Sequence, residues 1–310
     1  MNIVVTGGLG VVGAPLVEEL RQRNHDVWIC DKPLHYDEQY FKCDIGEYRQ
    51  VQHVFEEVDF DMVYNLAAEF GRYNGEHFYE TLWKSNVIGL KNIIRHQEKH
   101  GFKLVHFSSS EVYGDYGGVM EEDVLEQHPI RQLNDYAITK WVNEMQVMNS
   151  AETDGTKSVR VRLFNTYGPG EPYSPYRSAT TIFIYHALHG LPYKVYLNHH
   201  RTPTYIDDCI NALANISKNF IPGEVYNISG DGYVSIKDIS DAILENLGID
   251  DSQVEYIPFE AHNTLNKKGD NTKAKRDLGY KTTVDLKEGT ARNIEWQKKV
   301  YRDTILDKFK

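Results

Sequence analysis

The feature that most constrains the fold of this chain is a glycine-rich turn between a short strand and a helix, close to the first residue. Residues 2–6 form a β-branched run that is typical of a buried parallel strand. Residues 14–23 follow with the apolar spacing of a helix, and Gly7, Gly10 and Gly13 lie between the two. Such glycines let a pyrophosphate approach the backbone at the positive end of a helix. The unit therefore predicts a dinucleotide-binding α/β fold.

The next strands supply further candidate contacts to the same ligand. The second predicted strand, 26–30, ends at Asp31, whose carboxylate can accept hydrogen bonds from an adenosine ribose and repels a ribose phosphate. This favours NAD over NADP, although Lys32 adjoins Asp31. A fourth strand, 62–68, ends in small residues that allow a cofactor to pass close to the backbone. The remaining expected cofactor contacts are Val11, Val12, Asp44, Ile45, Leu66, Ala67, Ala68 and Asn86. A simple turn or a helix N-cap is an equally good interpretation of Asp44.

Two stretches carry side chains suited to chemistry. A fifth strand, 103–107, runs into Ser-Ser-Ser-Glu at 108–111, which places hydroxyls and a carboxylate where ligands of doubly wound sheets bind. Tyr136 and Lys140 are four residues apart and so share one face of a helix. An ammonium beside a phenol favours the phenolate, so we expect the pKa of Tyr136 to fall towards neutrality. Tyr136 is therefore a candidate acid and base.

Composition excludes several classes of function. The chain has 310 residues, 41% of them apolar and 25% charged, as in a soluble globular protein with a sizeable core. Its net charge of -11 argues against nucleic acid and anionic membranes as partners. No apolar run has membrane-spanning length and no signal peptide is apparent, so we expect a cytoplasmic protein. No metal is expected, because the adjacent His199 and His200 point to opposite faces of a strand.

Taken in order, these motifs resemble the extended short-chain dehydrogenase/reductases, and among them the nucleotide-sugar epimerases, dehydratases and decarboxylases. The likeness covers nearly the whole chain, including later segments at 162–170, 200–208, 226–230 and 273–280. It implies a Rossmann doubly wound parallel sheet with a smaller C-terminal substrate-binding domain, a tightly held NAD and a nucleotide-diphosphate sugar as substrate. The implied NAD-binding domain comprises 1–167 and about 203–230, and the implied substrate-binding domain comprises 168–202 and 231–310.

The resemblance also implies roles for individual residues. Tyr136 takes the proton of the sugar C4 hydroxyl, and Lys140 lowers its pKa and holds the nicotinamide ribose. Ser109 hydrogen-bonds the C4 oxygen. Glucose-type 4,6-dehydratases carry Asp-Glu at the next two positions, whereas Ser110 and Glu111 look more like GDP-mannose 4,6-dehydratases and UDP-glucuronate decarboxylases.

Glu111 favours chemistry at C5 over plain inversion at C4. The expected reaction is therefore that of a nucleotide-sugar 4,6-dehydratase. A decarboxylase or epimerase of the same family is the alternative, and a catalytically inactive dinucleotide-binding regulator is the alternative of another class.

An acidic chain that binds a diphosphate needs a local basic pocket. Arg201 matches the family's phosphate-binding arginine, and its planar fork suits phosphate oxygens. Asn165 and Arg177 are expected helpers, and Arg72 could reach the substrate from the loop after the fourth strand. A solvated surface charge is the alternative for Arg72 and Arg177.

The rest of the pattern predicts a loop over 69–78 and helices near 81–99, 135–150, 178–190, 208–218, 235–247 and 285–301. By resemblance, the helices near 81–99 and 135–150 form the interface of a homodimer. A monomer with these faces in solvent is the alternative.

Overall fold

The computed structural model describes residues 1–310 and is built on a seven-stranded parallel sheet with the strand order β12-β7-β5-β4-β1-β2-β3. The strands are β1 (Asn2–Thr6), β2 (Asp26–Asp31), β3 (Tyr40–Lys42), β4 (Met62–Asn65), β5 (Lys103–Ser109), β6 (Val119–Met120), β7 (Ser158–Leu163), β8 (Thr166–Tyr167), β9 (Tyr193–Tyr196), β10 (His200–Arg201), β11 (Thr204–Tyr205), β12 (Val225–Ile228), β13 (Val234–Ser235), β14 (Val254–Ile257) and β15 (Lys268–Gly269). The order reverses beside β1, which opens a crevice at the carboxyl ends of β1 and β4. This confirms the doubly wound Rossmann fold.

Helices cover both faces of the sheet. They are α1 (Gly13–Gln22), α2 (Tyr48–Glu57), α3 (Arg72–His77), α4 (Tyr79–Trp83), α5 (Gly89–His100), α6 (Val124–Gln127), α7 (Asp135–Asp154), α8 (Ala179–His189), α9 (Ile206–Asn215), α10 (Ile236–Leu247), α11 (Thr272–Leu278) and α12 (Leu286–Val300). A π-helical turn spans Lys84–Ile88, and 3₁₀ turns span Ser110–Tyr113 and Asp307–Phe309. No helix combines the length and the hydrophobicity needed to cross a membrane.

The core divides at the sheet. Because successive side chains of a strand point to opposite faces, Ile3 and Val5 join the apolar cluster that includes residues of α1 and α9. Val4 joins the cluster with residues of α2 and α5 on the other face. A third cluster is formed mainly by α8, α10 and β9, and β14 packs against it. It gives the C-terminal part of the chain a core of its own, while the exact division into two domains stays a prediction.

Several local predictions need correction. The expected loop over 69–78 contains α3, which begins after Gly71 at a φ of 82°. The helix expected over 81–99 begins at Tyr79 and is interrupted by the π-helical turn. The helix expected from Asp208 starts two residues earlier, and Asp207 and Asp208 lie in its first turn, where they complement the helix dipole.

Candidate functional site

One large cavity of about 880 Å³ opens at the carboxyl ends of the parallel strands. It collects nearly every residue that the sequence proposed for the site, from segments far apart in the chain. These are Gly7, Gly10, Val11, Val12, Gly13, Asp31, Asp44, Ile45, Leu66, Ala67, Ala68, Arg72, Ser109, Ser110, Glu111, Tyr136, Lys140, Asn165, Arg177 and Arg201. The exception is Asn86, which does not line the cavity.

The glycine turn forms a cradle in which side chains cannot be accommodated. Gly7 has a φ of 70°, and a Cβ there would lie 2.8 Å from the backbone nitrogen of Ala67. A Cβ on Gly13 would lie 2.1 Å from the carbonyl oxygen of Gly7. The N–H groups of Val11 and Val12, just before α1, donate to no acceptor in the protein. Free donors at a helix N-terminus beside a bare backbone fit the pyrophosphate of a dinucleotide.

Asp31 lies at the next strand end, on the wall of the same cavity. Its carboxylate accepts a hydrogen bond from the N–H of Leu9 at 2.9 Å, which fixes it beside the glycine turn. The ammonium of the adjacent Lys32 is 3.2 Å from the carboxylate of Glu69, so this cation is already paired. Because Lys32 is paired and Asp31 is negatively charged, this end of the cavity suits an adenosine ribose that carries no phosphate.

Asn86 supports the wall of the cavity without reaching it. It is 2% exposed and lies in the π-helical turn. Its amide accepts from the N–H of Glu69 at 2.8 Å and donates to the Glu69 carbonyl at 3.0 Å. It also donates to the hydroxyl of Thr139 at 3.0 Å. Since these hydrogen bonds occupy the amide, the structure assigns Asn86 to holding the loop after β4 against α7.

Tyr136 and Lys140 lie one turn apart on α7, which begins with Asn134 as N-cap. The Lys140 ammonium donates to the carbonyl of Phe107 at 2.9 Å and lies 5.7 Å from the centroid of the Tyr136 ring. Burial raises the pKa of Tyr136, Ser109 opposes that rise, and the charge of Glu111 adds to it. The expected fall towards neutrality is therefore wrong for the protein alone, because burial dominates and Lys140 is engaged elsewhere. Burial lowers the pKa of Lys140 to about 8.

The end of β5 presents a carboxylate with an unexpected partner. Glu111 forms an ion pair with Lys267, whose side chain is 1% exposed. Burial works against the charged form of Glu111, but Lys267 and then Arg201 outweigh it, and the pKa of Glu111 is lowered. Burial lowers the pKa of Lys267, and Glu111 opposes that shift. The site therefore holds a paired acid and base beside Tyr136.

Sequence reasoning missed Lys267. It lies 156 residues after Glu111, just before the two-residue strand β15, and the sequence gives it no helical or strand pattern. The only signal was its place in the cluster Asn-Lys-Lys-Gly-Asp over 266–270, which offers two lysines and no means of choosing between them.

Arg201 is a buried cation that no carboxylate neutralises directly. It is 4% exposed and donates to the carbonyls of His200 and Leu265 at 2.8 and 2.9 Å. A further weak hydrogen bond reaches the side-chain oxygen of Asn263 at 3.3 Å. Burying a charge is costly unless it is paired, so an anionic ligand in the cavity would complete this site.

The other expected substrate contacts differ from one another. Arg177 lies 4.1 Å over the ring of Phe70 and its Nε has no hydrogen-bond partner, so it remains available. Asn165 has a positive φ of 40°, an uncommon conformation that places it at the cavity wall. Arg72 is already paired with Glu76 at 3.0 Å and with Glu260 at 3.4 Å, which leaves it little free charge.

A segment comprising residues 258–266, here named the strap, contributes Glu260 and Asn263 to the cavity wall, on the side of Arg201 and Glu111. His199 is 1% exposed and accepts from the N–H of Glu260 at 2.9 Å through Nε2. Its Nδ1 lies 3.2 Å from the carbonyl of Thr264. Burial lowers the pKa of His199 to about 4, so this histidine is neutral and each nitrogen has one role. Thr264 donates to the Gly114 carbonyl at 2.7 Å, which ties the strap to the turn that carries Glu111.

A doubly wound sheet, a pyrophosphate cradle and a Tyr-Lys pair at its crevice together define a dinucleotide-dependent enzyme. Residues 3–229 match the model of the NAD dependent epimerase/dehydratase family. The chain belongs to this family, and its cofactor is NAD. The match includes every strand of the seven-stranded sheet and most of the cavity wall.

Relatives and solved structures extend over the whole chain. UDP-N-acetyl-alpha-D-glucosaminuronate decarboxylase of Bacillus cytotoxicus is 29% identical, covering 97% of this chain and 98% of the relative. The structure of MoeE5 in complex with UDP-glucuronic acid and NAD is 25% identical with a TM-score of 0.85, covering 97% of this chain and 100% of that one. UDP-glucuronic acid 4-epimerase of Bacillus cereus, at 24% identity, shares the fold with a TM-score of 0.87 over 97% of this chain and 100% of that one.

Proposed function

We propose that the protein is a nucleotide-sugar decarboxylase that acts on a uronic sugar through transient oxidation at C4. The observation that carries this proposal is the buried ion pair of Glu111 and Lys267 beside Tyr136. A 4,6-dehydratase needs a base for the C5 proton, and the ion pair makes Glu111 a weaker base. A decarboxylase needs an acid that protonates C5 after carbon dioxide leaves, and Lys267 with its lowered pKa is a ready donor.

Tyr136 begins and ends the reaction. Its oxygen accepts the proton of the sugar C4 hydroxyl as that carbon is oxidised, and returns it at the end. Bound NAD supplies the acceptor for the C4 hydrogen and a positive charge near the phenol. The charge of bound NAD would oppose the effect of burial, which raises the pKa of Tyr136 in the protein alone.

The second step takes place at C5. Ser109 donates a hydrogen bond to the C4 oxygen, which receives the electron pair as the bond between C5 and the carboxylate breaks. Lys267 then donates its proton to C5, and the neutral amine stays beside Glu111 until it is reprotonated by solvent. A 3₁₀ turn that begins at Ser110 carries Glu111. Ser109, Glu111 and Lys267 all line the cavity, which supports the action of Ser109 at C4 and of Lys267 at C5.

Arg201 is proposed to bind the diphosphate of the substrate, with Arg177 and Asn165 beside it. The support is that Arg201 is buried without a carboxylate partner, and Arg177 has an unused Nε. Arg72 is not proposed as a phosphate ligand, since Glu76 and Glu260 already pair with it.

The 4,6-dehydratase predicted from the sequence is the second candidate. The same pair could serve it, with Glu111 taking the C5 proton and Lys267 protonating the departing C6 hydroxyl. We expect this reaction to be slower, because the base of the pair is the member that the ion pair weakens.

The test is to incubate the protein with UDP-glucuronic acid, UDP-N-acetylglucosaminuronic acid, UDP-glucose, dTDP-glucose and GDP-mannose, and to determine the product masses. We expect loss of carbon dioxide from a uronic sugar without consumption of added NAD. Loss of water would instead support the dehydratase. An unchanged mass with a new sugar isomer would support an epimerase, and no reaction with any sugar would favour the inactive regulator.

We also propose that the protein forms a homodimer through α4, the π-helical turn and α7. These elements expose four large apolar side chains, Tyr79, Ile88, Met145 and Met148, at 46, 51, 42 and 36%. Exposed apolar surface that is grouped in this way is typical of a protein–protein interface. Sedimentation equilibrium tests this, and Met145→Glu with Met148→Glu should shift the protein to a monomer.

A further inference from the structure

A buried triad of charges lies beneath α7, outside the cavity. Glu144 is 0% exposed and lies between Arg160 and Arg162. The two carboxylate oxygens accept from the Nε and Nη2 of Arg162 at 2.9 and 2.8 Å, and from Arg160 at 3.2 Å. None of the three residues lines the cavity.

The triad is connected to each segment that carries a proposed catalytic group. Glu144 follows Lys140 by one turn of α7. The hydroxyl of Ser108, the residue before Ser109, donates to Glu144 at 2.6 Å. Arg162 donates to the hydroxyl of Tyr113 at 2.8 Å, and Tyr113 ends the turn that holds Glu111. One carboxylate thus connects α7, the end of β5 and the 3₁₀ turn.

Stability alone gives little reason to retain such a triad. Removing two or three charges from water is costly, and replacing a buried Arg-Glu-Arg triad with apolar side chains of similar size is often neutral or stabilising in other proteins. A bidentate arginine and carboxylate does fix distance and orientation, because both N–H groups must align with both oxygens.

We propose that Glu144, Arg160 and Arg162 are positioning residues that hold Tyr136, Ser109 and Glu111 in one fixed arrangement, and that Glu144 keeps Lys140 protonated. This inference rests on the proposed function of the cavity. None of the three residues lines the cavity, so their proposed role is exerted through other residues.

The charges around Lys140 support the second part of the proposal. Along α7 its charged or titratable neighbours are Tyr136 and Glu144, and from β5 the neighbour is His106. On β7, Arg160 lies opposite His106 in the strand register and donates to Glu144. Burial lowers the pKa of His106 to about 3, with a further contribution from Lys140, so His106 is neutral. Glu144 is therefore the negative charge that opposes deprotonation of the buried ammonium.

The first test replaces the whole triad in Glu144→Met/Arg160→Met/Arg162→Met and measures melting temperature, NAD binding and turnover. If the triad positions the site, we expect a melting temperature within about 5 °C of the original. Turnover should fall about 100-fold while KM for the nucleotide sugar changes little, since misplacement of catalytic groups by about 1 Å has effects of this size. Unchanged turnover, or a loss of melting temperature that accounts for the loss of turnover, would overturn the proposal.

The second test uses Glu144→Gln, which keeps the shape of the side chain and removes its charge. Lysine NMR with a ¹³C label at Cε reports the titration of Lys140, assigned with Lys140→Arg, and Glu152→Gln on the exposed face of α7 is the matched control. We expect the pKa of Lys140, about 8 in the original protein, to fall in Glu144→Gln and to stay unchanged in Glu152→Gln. An unchanged pKa in both variants would overturn the electrostatic part.

The two tests separate this inference from the proposed function. If no sugar is turned over, the proposed function fails, but the titration of Lys140 can still be measured in the intact protein. If a uronic sugar is decarboxylated and the triad variants behave like the original protein, only the inference fails.

Discussion

The cofactor side and the substrate side of the cavity are assembled in different ways. On the cofactor side, the cradle comes from seven consecutive positions, Gly7 to Gly13, between β1 and α1. On the substrate side, Glu111 meets Lys267 across 156 residues, and the strap reaches His199 across about 60. The first is therefore determined by local geometry and the second by tertiary packing. Substitutions can therefore perturb the cofactor side and the substrate side separately.

The largest effect is expected where the two sides meet. Tyr136→Phe removes the proposed proton acceptor for C4 oxidation and leaves the cradle and the strap intact, so turnover should fall by about 1,000-fold or more. NAD content, measured by mass spectrometry of the purified protein, should stay the same. A variant with near-normal turnover would contradict the assignment of Tyr136.

The next largest effect is expected on the cofactor side, where it concerns stability. Gly13→Ala places a methyl group 2.1 Å from the Gly7 carbonyl oxygen, which the turn can relieve only by moving. We expect a loss of about 3 kcal/mol in the free energy of unfolding, together with weaker NAD binding. Gly117→Ala is the matched control, because nothing lies within 4 Å of a Cβ there. Equal melting temperatures for the two variants would show that the cradle is not tightly packed.

On the substrate side, the strap should make stability depend on pH. The pKa of His199 is 6.5 when unfolded and about 4 when folded, so the unfolded state binds the proton more tightly. Neutral His199 therefore makes its full contribution to the free energy of unfolding above pH 6.5. This contribution, about 3 kcal/mol in total, is lost as the pH falls towards 4. His199→Gln should reduce the slope of melting temperature against pH in this window. An identical slope in both proteins would mean that His199 does not titrate with unfolding.

The smallest effect is expected at the ion pair between Lys32 and Glu69. Glu69→Gln frees Lys32 to meet a ribose phosphate, so affinity for NADP should rise about threefold while affinity for NAD changes little. Glu80→Gln, which removes the same charge from the exposed surface of α4, serves as control. If both variants bind NADP equally well, Glu69 has no part in cofactor choice.

The same contrast explains how much the sequence could predict. The glycine spacing, Asp31 and the Tyr-Lys pair each combine a local conformation with a chemical requirement, and the structure brings all of them to one cavity. Asn86 was placed there as well, but its amide is occupied by the loop after β4. The pairing of Arg72 with Glu260 depends on the strap, which no local pattern predicts. Sequence spacing predicts that Tyr136 lies near Lys140 but says nothing about burial, which raises the pKa of Tyr136.

Lys267 is a residue of the site that no local sequence pattern predicts. Its proposed role depends on a partner 156 residues earlier and on its burial in the folded chain. Charge and residue type alone could not distinguish it from Lys268, which is exposed in the folded chain. The residue that we propose to act at C5 is therefore one that only the fold identifies.

The most direct test of the central claim, that Lys267 protonates C5 after carbon dioxide leaves, is the reaction in deuterium oxide. We expect the product of UDP-glucuronic acid or UDP-N-acetylglucosaminuronic acid to lose carbon dioxide and to carry one deuterium at C5, located by NMR. Lys267→Met should slow both events together by about 100-fold. A product that keeps its carboxylate, or that carries no deuterium at C5, would contradict the account, as would full activity in Lys267→Met.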